Sequence, residues 1–260
     1  MARRCAELLE EAGASVPVNV RALASLRGAT VEEVEQPLSG WIRPMNGRLV
    51  IRVCSSDLEA RRRFTICHEI CHTFFPDFAS SPRERAEPDV ERFDERDQVE
   101  FLCDVGAAEL LLPRLAFELL LPQRFTIDSI LELAEHFCAS IEATARRAAA
   151  LSKEPVAVVV LERTPTRPQP HDDHASVVSR SLEWQGELCV RWSAGNLVTG
   201  MSRSGLVPEN SPLARAAHGG AVAYRGATEL APGTFDVQAR GLPYERAGQT
   251  VDRVIVVLRP

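Results

Sequence analysis

Hydrophobic positions change their rhythm twice along the 260 residues of the chain. At the start, "ARRCAELLEEAG" places Leu8, Leu9 and Ala12 on one helical face, and "PVNVRALASLRG" continues in the same manner. Each run ends at a glycine, and Pro17 and Gly28 mark the entry and stop of the second, so residues 1–35 read as two short helices. "GWIRPMNGRLVIRV" then switches to strand-type residues. Trp41, Ile42, Leu49, Ile51 and Val53 flank Asn46-Gly47, a preferred two-residue hairpin turn. An N-cap at Ser56 or Asp57 opens a helix expected to run through Phe74, and Pro76 stops it.

The polar, proline-containing stretch "SSPRERAEPDVERFDERD" reads as a solvated connector. From Asp97 the chain returns to helix through "QVEFLCDVGAAELLL" up to Pro113, and "RLAFELLLPQRFTIDSILELAEHFCASIEATARRAAALS" supplies more. Past Glu154 the rhythm changes again. "PVAVVVLE", "ELCVRWSA", "AVAYRG" and "RVIVVLRP" are short strand-like runs separated by Gly and Pro, and "RTPTRPQPHDDHAS" among them has the composition of a loop. The pattern predicts an α+β protein in three parts. Residues 1–115 combine helices with a small antiparallel sheet, 116–153 are helical, and 155–260 form a β-rich C-terminal domain.

Composition narrows the function classes. The chain is 45% hydrophobic and 25% charged, which is ordinary for a globular protein. A net charge of −6 speaks against a surface built throughout for nucleic acid. No stretch approaches the roughly 20 apolar residues of a membrane helix, and "MARRCAELLEEAGAS" lacks the unbroken apolar core of a signal peptide. Seven scattered cysteines fit a reducing compartment, so a cytoplasmic location is expected, with no membrane partner.

The chemistry concentrates in "FTICHEICHTFF". His68, Glu69 and His72 form an HExxH motif. On a helix the two histidines lie about 40° apart and can converge on one metal, while Glu69 sits where it can take a proton from a water. Ile66, Ile70, Phe74 and Phe75 surround the motif with apolar residues, and histidines buried there without a partner would be expensive. A zinc hydrolase needs a third protein ligand and a position open to water. Glu100 in the second long helix would complete a His-His-Glu set. Asp104, one turn on, would accept the free N–H of a histidine ligand from outside the metal's own shell.

Residues 17–113 resemble the ImmA/IrrE-type metallopeptidases in order and spacing, most specifically through "RRRFTICHEICHTFF" and "EFLCDVGAAELLLP". The resemblance, which extends to a defence-operon, CapP-like branch, implies a gluzincin-like minimal zinc peptidase domain. Its ligands would be His68, His72 and Glu100, and its catalytic base Glu69. It also implies a helix-turn-helix-like (HTH-like) segment, which "ILELAEHFCASIEATARRAAAL" resembles, and a GAF-like sensory domain over 155–260. The implied substrate is an HTH transcriptional repressor, cut to release a stress or anti-phage response, by an enzyme latent until DNA damage or single-stranded DNA activates it. Arg61 to Arg63, Arg146, Arg147, Trp184 and Trp192 are the candidate DNA contacts. Both tyrosines, Tyr224 and Tyr244, lie in the C-terminal third, so no oxyanion partner is assigned.

Two positions depart from that family's usual pattern, Cys71 for glycine and Cys103 for alanine. Cys67 and Cys71 share a helix face away from the histidines and read as small buried hydrophobes. Cys103 lies about 60° round from Glu100 and has two readings, a core cysteine or an inhibitory fourth ligand that displaces the water. Cys5 and Cys54 are weaker candidates for that role. "HDDH" (His171 to His174) reads as exposed linker rather than a second metal site. The rival from another class is a non-catalytic, zinc-containing regulator that binds DNA through the helical segment. Glu69 argues against it, because a structural site has no use for a base.

Overall fold

The computed structural model describes residues 1–76, 95–164, 186–197, 206–217, 219–246 and 249–260. The expected connector falls almost wholly outside them, and "HDDH" and Trp184 wholly so. Contacts divide the chain into two compact units, residues 1–121 with 131–147, and residues 122–130 with 148–260.

The first unit opens with α1 (Ala2–Glu11) and α2 (Val20–Leu26), followed by β1 (Ala29–Val34), β2 (Gly40–Met45) and β3 (Arg48–Cys54). Asn19 caps α2 by accepting from the backbone N–H of Ala22 at 3.1 Å. The hairpin turns at Asn46 and Gly47, both with positive φ, as a two-residue turn of this hand requires. The strand order is β1-β3-β2, with β2 antiparallel to β3 and β1 parallel to it.

This corrects two expectations. Residues 29–34 are a strand rather than the tail of a helical region, and the small sheet is mixed rather than antiparallel. The reason is long-range: Glu32 and Glu33 look solvated in "ATVEEV", but Arg52 meets Glu32 at 2.8 Å across the ladder, and Arg21 and Arg62 both meet Glu33.

Next come α3 (Glu59–His72), α4 (Glu95–Leu111), α5 (Arg114–Leu120), α6 (Ile127–Phe137) and α7 (Ile141–Leu151). α3 starts later than expected, with Leu58 rather than Ser56 or Asp57 as its N-cap, and it ends at His72 with Thr73 as its C-cap. Arg27 holds that end, donating to Thr73 O at 3.0 Å and Thr73 Oγ1 at 2.9 Å while its guanidinium lies over the Phe74 ring. α3 packs on β2, β3 and α4. Two glycines allow the close fit. A Cβ on Gly40 would come 2.3 Å from Thr65 Cγ2, and one on Gly106 would come 2.5 Å from Cys71 Sγ. Fully buried Leu23, Ile51, Ile70, Leu110 and Phe117 fill this unit's core.

The second unit holds β4 (Ala157–Arg163), β5 (Leu188–Gly195), β6 (Leu206–Val207), α8 (Pro212–Ala216), β7 (Ala221–Thr228), β8 (Ala231–Gly241), β9 (Tyr244–Arg246), β10 (Gln249–Val251) and β11 (Arg253–Arg259). Six strands form an antiparallel sheet in the order β6-β5-β4-β11-β8-β7. β4, in the middle of the sheet, is buried at every position, so both of its faces are covered, which explains its continuous apolar run. β8 is absent from the sequence reading, although "TFDVQAR" alternates apolar and polar residues; Pro232 and Gly233 at its start mask the signal.

Candidate metal centre

The HExxH segment is almost completely enclosed. His68 is 1% exposed, Glu69 0% and His72 3%, and Glu100 on the facing helix is 4% exposed. Each pair sits one turn apart on its own helix, His68 with His72 on α3 and Glu100 with Asp104 on α4. The packing of α3 on α4 brings the four together.

The distances define a cluster. His68 Nε2 lies 3.2 Å from His72 Nε2 and 3.1 Å from Glu100 Oε2, and His72 Nε2 lies 3.6 Å from Glu100 Oε1. Behind His68, its Nδ1 meets Asp104 Oδ1 at 2.8 Å. Donation of the Nδ1 proton to that carboxylate leaves the Nε2 lone pair facing Glu100 and His72. A lone pair and a carboxylate so placed repel unless a cation or proton lies between them.

Two donors each bonded to one tetrahedral zinc at about 2.05 Å stand about 3.3 Å apart. The observed 3.1–3.6 Å brackets that value, so His68, His72 and Glu100 could hold such an ion. His68, His72 and Cys103 also offer one donor atom each within 4.8 Å, a looser set.

Glu100 shows the balance of forces in this pocket. Burial pushes its carboxyl up, but the hydrogen bond with His68 and the charges of His72 and His68 outweigh burial, so it is held below the ordinary carboxylate value.

Each sequence candidate has a definite place. Glu69 is enclosed beside His68, and Asp104 contacts His68 from the rim with its side chain 38% exposed. Cys67 and Cys71 are fully buried, as their helix phase predicts, and burial raises both thiols. Cys71 hydrogen-bonds Cys5 and packs against Gly106, away from the histidine rings. Cys103 Sγ lies 3.5 Å from Nδ1 of His72, the ring nitrogen directed away from the cluster. Helix phase puts that sulfur beside the cluster, and the packing of α4 on α3 decides which nitrogen it meets.

The arginines expected to face DNA are all engaged within the chain. Arg61 donates to Ser39, Arg62 to the carbonyls of Ser55 and Asp57, and Arg63 to those of Val18 and Cys138. Arg146 pairs with Glu142, and Arg147 grips Glu109 through two 2.7 Å hydrogen bonds. Trp192 is half-buried.

The family model for the IrrE N-terminal-like domain (Peptidase M78) matches residues 30–149, a span that contains every residue of the cluster. Among curated proteins, none matches the chain. Among solved structures, a Mycobacterium tuberculosis transcriptional regulator is similar in fold, with a TM-score of 0.60 and 14% identity over 99% of this chain and 74% of that one. At that identity the likeness speaks for the fold alone.

Proposed function

Residues 30–149 belong to the ImmA/IrrE-type family, and from that premise we propose that the protein is a zinc-dependent endopeptidase with His68, His72 and Glu100 as ligands. The observation that carries this reading is the convergence of two Nε2 atoms and one buried carboxylate within 3.1–3.6 Å. Bound there, zinc supplies Lewis acidity and a water acidic enough to lose a proton near neutral pH. Asp104 fixes the tautomer of His68. Glu69, on the same helix turn, takes the proton of the attacking water and returns it to the leaving amine. The near-complete burial of His68, Glu69, His72 and Glu100 strengthens each of these electrostatic contacts by excluding water.

The substrate we propose is an HTH transcriptional repressor, cut to induce a stress or defence response. The family match supports the peptidase class, and the repressor substrate is the one that the resemblance of the sequence implies. The six-stranded antiparallel sheet of the second unit supports a GAF-like sensory role for residues 155–260. The activator we propose is single-stranded DNA or the DNA damage that yields it; Arg61 and Arg146 hold exposed intrachain contacts, which a nucleic-acid strand could displace.

The test is Glu69→Gln. The variant should retain zinc at the parent's stoichiometry and lose cleavage of a susceptible repressor by at least about 100-fold. Full repressor release by the Glu69→Gln protein would favour the non-catalytic regulator instead.

A further inference from the structure

Three side chains of α4 meet the two histidines of α3, each at a different atom. Glu100 faces both Nε2 atoms, Asp104 takes Nδ1 of His68 at 2.8 Å, and Cys103 lies 3.5 Å from Nδ1 of His72. Neighbouring residues thus serve the outer nitrogens of different histidines, one through a carboxylate and one through a thiol. We propose that Cys103 is a positioning residue for His72, its sulfur accepting the Nδ1 proton so that the Nε2 lone pair points into the cluster. This inference rests on the metal-site reading above.

The 3.5 Å contact favours this role over direct ligation. The contact lies on the Nδ1 side of the ring, while the donors that face one another are the two Nε2 atoms and Glu100. Cys103 is 0% and His72 3% exposed, so water has little access to replace the sulfur as a partner. A thiol is both a weak donor and a weak acceptor, which suits a histidine that must change tautomer. In the metal-free protein, His72 can carry its proton on Nε2, shared with His68 Nε2 at 3.2 Å, while the Cys103 S–H donates to Nδ1. With the Nε2 lone pair turned to a cation, the His72 proton would reside on Nδ1 and the sulfur would accept it. One proton changes nitrogen, and neither side chain changes its charge. Alanine could play neither part; serine could play both.

The experiment uses the full chain as parent, Cys103→Ala and Cys103→Ser, with folding checked by circular dichroism. Cobalt(II) is titrated in and followed by absorption, and zinc affinity is measured by chelator competition. The expected result has three parts. Cobalt-loaded parent shows no thiolate-to-cobalt charge-transfer band. Zinc affinity falls about tenfold or more in Cys103→Ala, and stays within about threefold of the parent in Cys103→Ser. A charge-transfer band that vanishes in Cys103→Ala makes the sulfur a ligand and overturns the proposal. Parent-like zinc affinity in a folded Cys103→Ala overturns it too. If Cys103→Ala fails to fold, Cys103→Ser decides: affinity more than about tenfold below the parent overturns the proposal, and near-parent affinity without the band upholds it. A parent that takes up neither metal overturns the metal-site reading and this inference together, whereas normal parent binding isolates the inference.

Discussion

Asp104 is the residue whose chemistry is simplest to isolate. It touches His68 Nδ1 at 2.8 Å and sits outside the His-His-Glu cluster, so its removal should weaken the metal without deleting a ligand. Asp104→Ala is expected to lower zinc affinity by about 10- to 100-fold, with Asp104→Asn intermediate, as chelator competition would measure. The thiols offer a second residue-scale check. Burial raises Cys67 and Cys71 and holds them protonated, while Cys138 is exposed. Iodoacetamide applied to the folded protein should label Cys138 well ahead of Cys67 and Cys71, with all seven labelled in denaturant; mass spectrometry of the peptides would show otherwise if the core were open.

At the scale of elements, the site depends on how closely α4 approaches α3. Gly106 has no room for a Cβ, which would meet Cys71 Sγ at 2.5 Å. Gly106→Ala must therefore separate the helices or displace the sulfur, and should cost about 1–3 kcal/mol in urea unfolding despite the higher helix propensity of alanine. In the second unit, Asp236 on β8 pairs with Arg225 at 2.9 Å and Arg124 at 2.7 Å. The hydrogen bond from Arg225, with help from Arg124, holds its carboxyl below the ordinary value. A depressed carboxyl contributes stability above its unfolded pKa and loses it as pH falls through the folded one. The acid limb of the stability curve should therefore flatten in Asp236→Asn, and an unchanged limb would show that solvent screens the pair completely.

For the whole molecule, a metal that binds only the folded chain adds stability by mass action, about 2.7 kcal/mol at a free concentration 100 times its dissociation constant. Adding a strong chelator should lower the melting temperature, and zinc should restore it; indifference to both would remove the metal from the fold. The candidate cluster was largely legible in the sequence because its parts are local. The helical period places His68 with His72 and Glu100 with Asp104 one turn apart before any tertiary contact forms. The hairpin at Asn46-Gly47 and the buried run of β4 were legible for the same reason. Partners chosen across long separations were not. β1 is a strand because β3 offers it a parallel edge and Arg52, Arg21 and Arg62 meet its glutamates, and β8 is a strand because β7 and β11 flank it. The placement of the Cys103 sulfur follows from the packing of two helices whose contacting residues stand 31 positions apart. A helix's own geometry sets which residues share a face, whereas the atom that face meets is set by the shape of its neighbour.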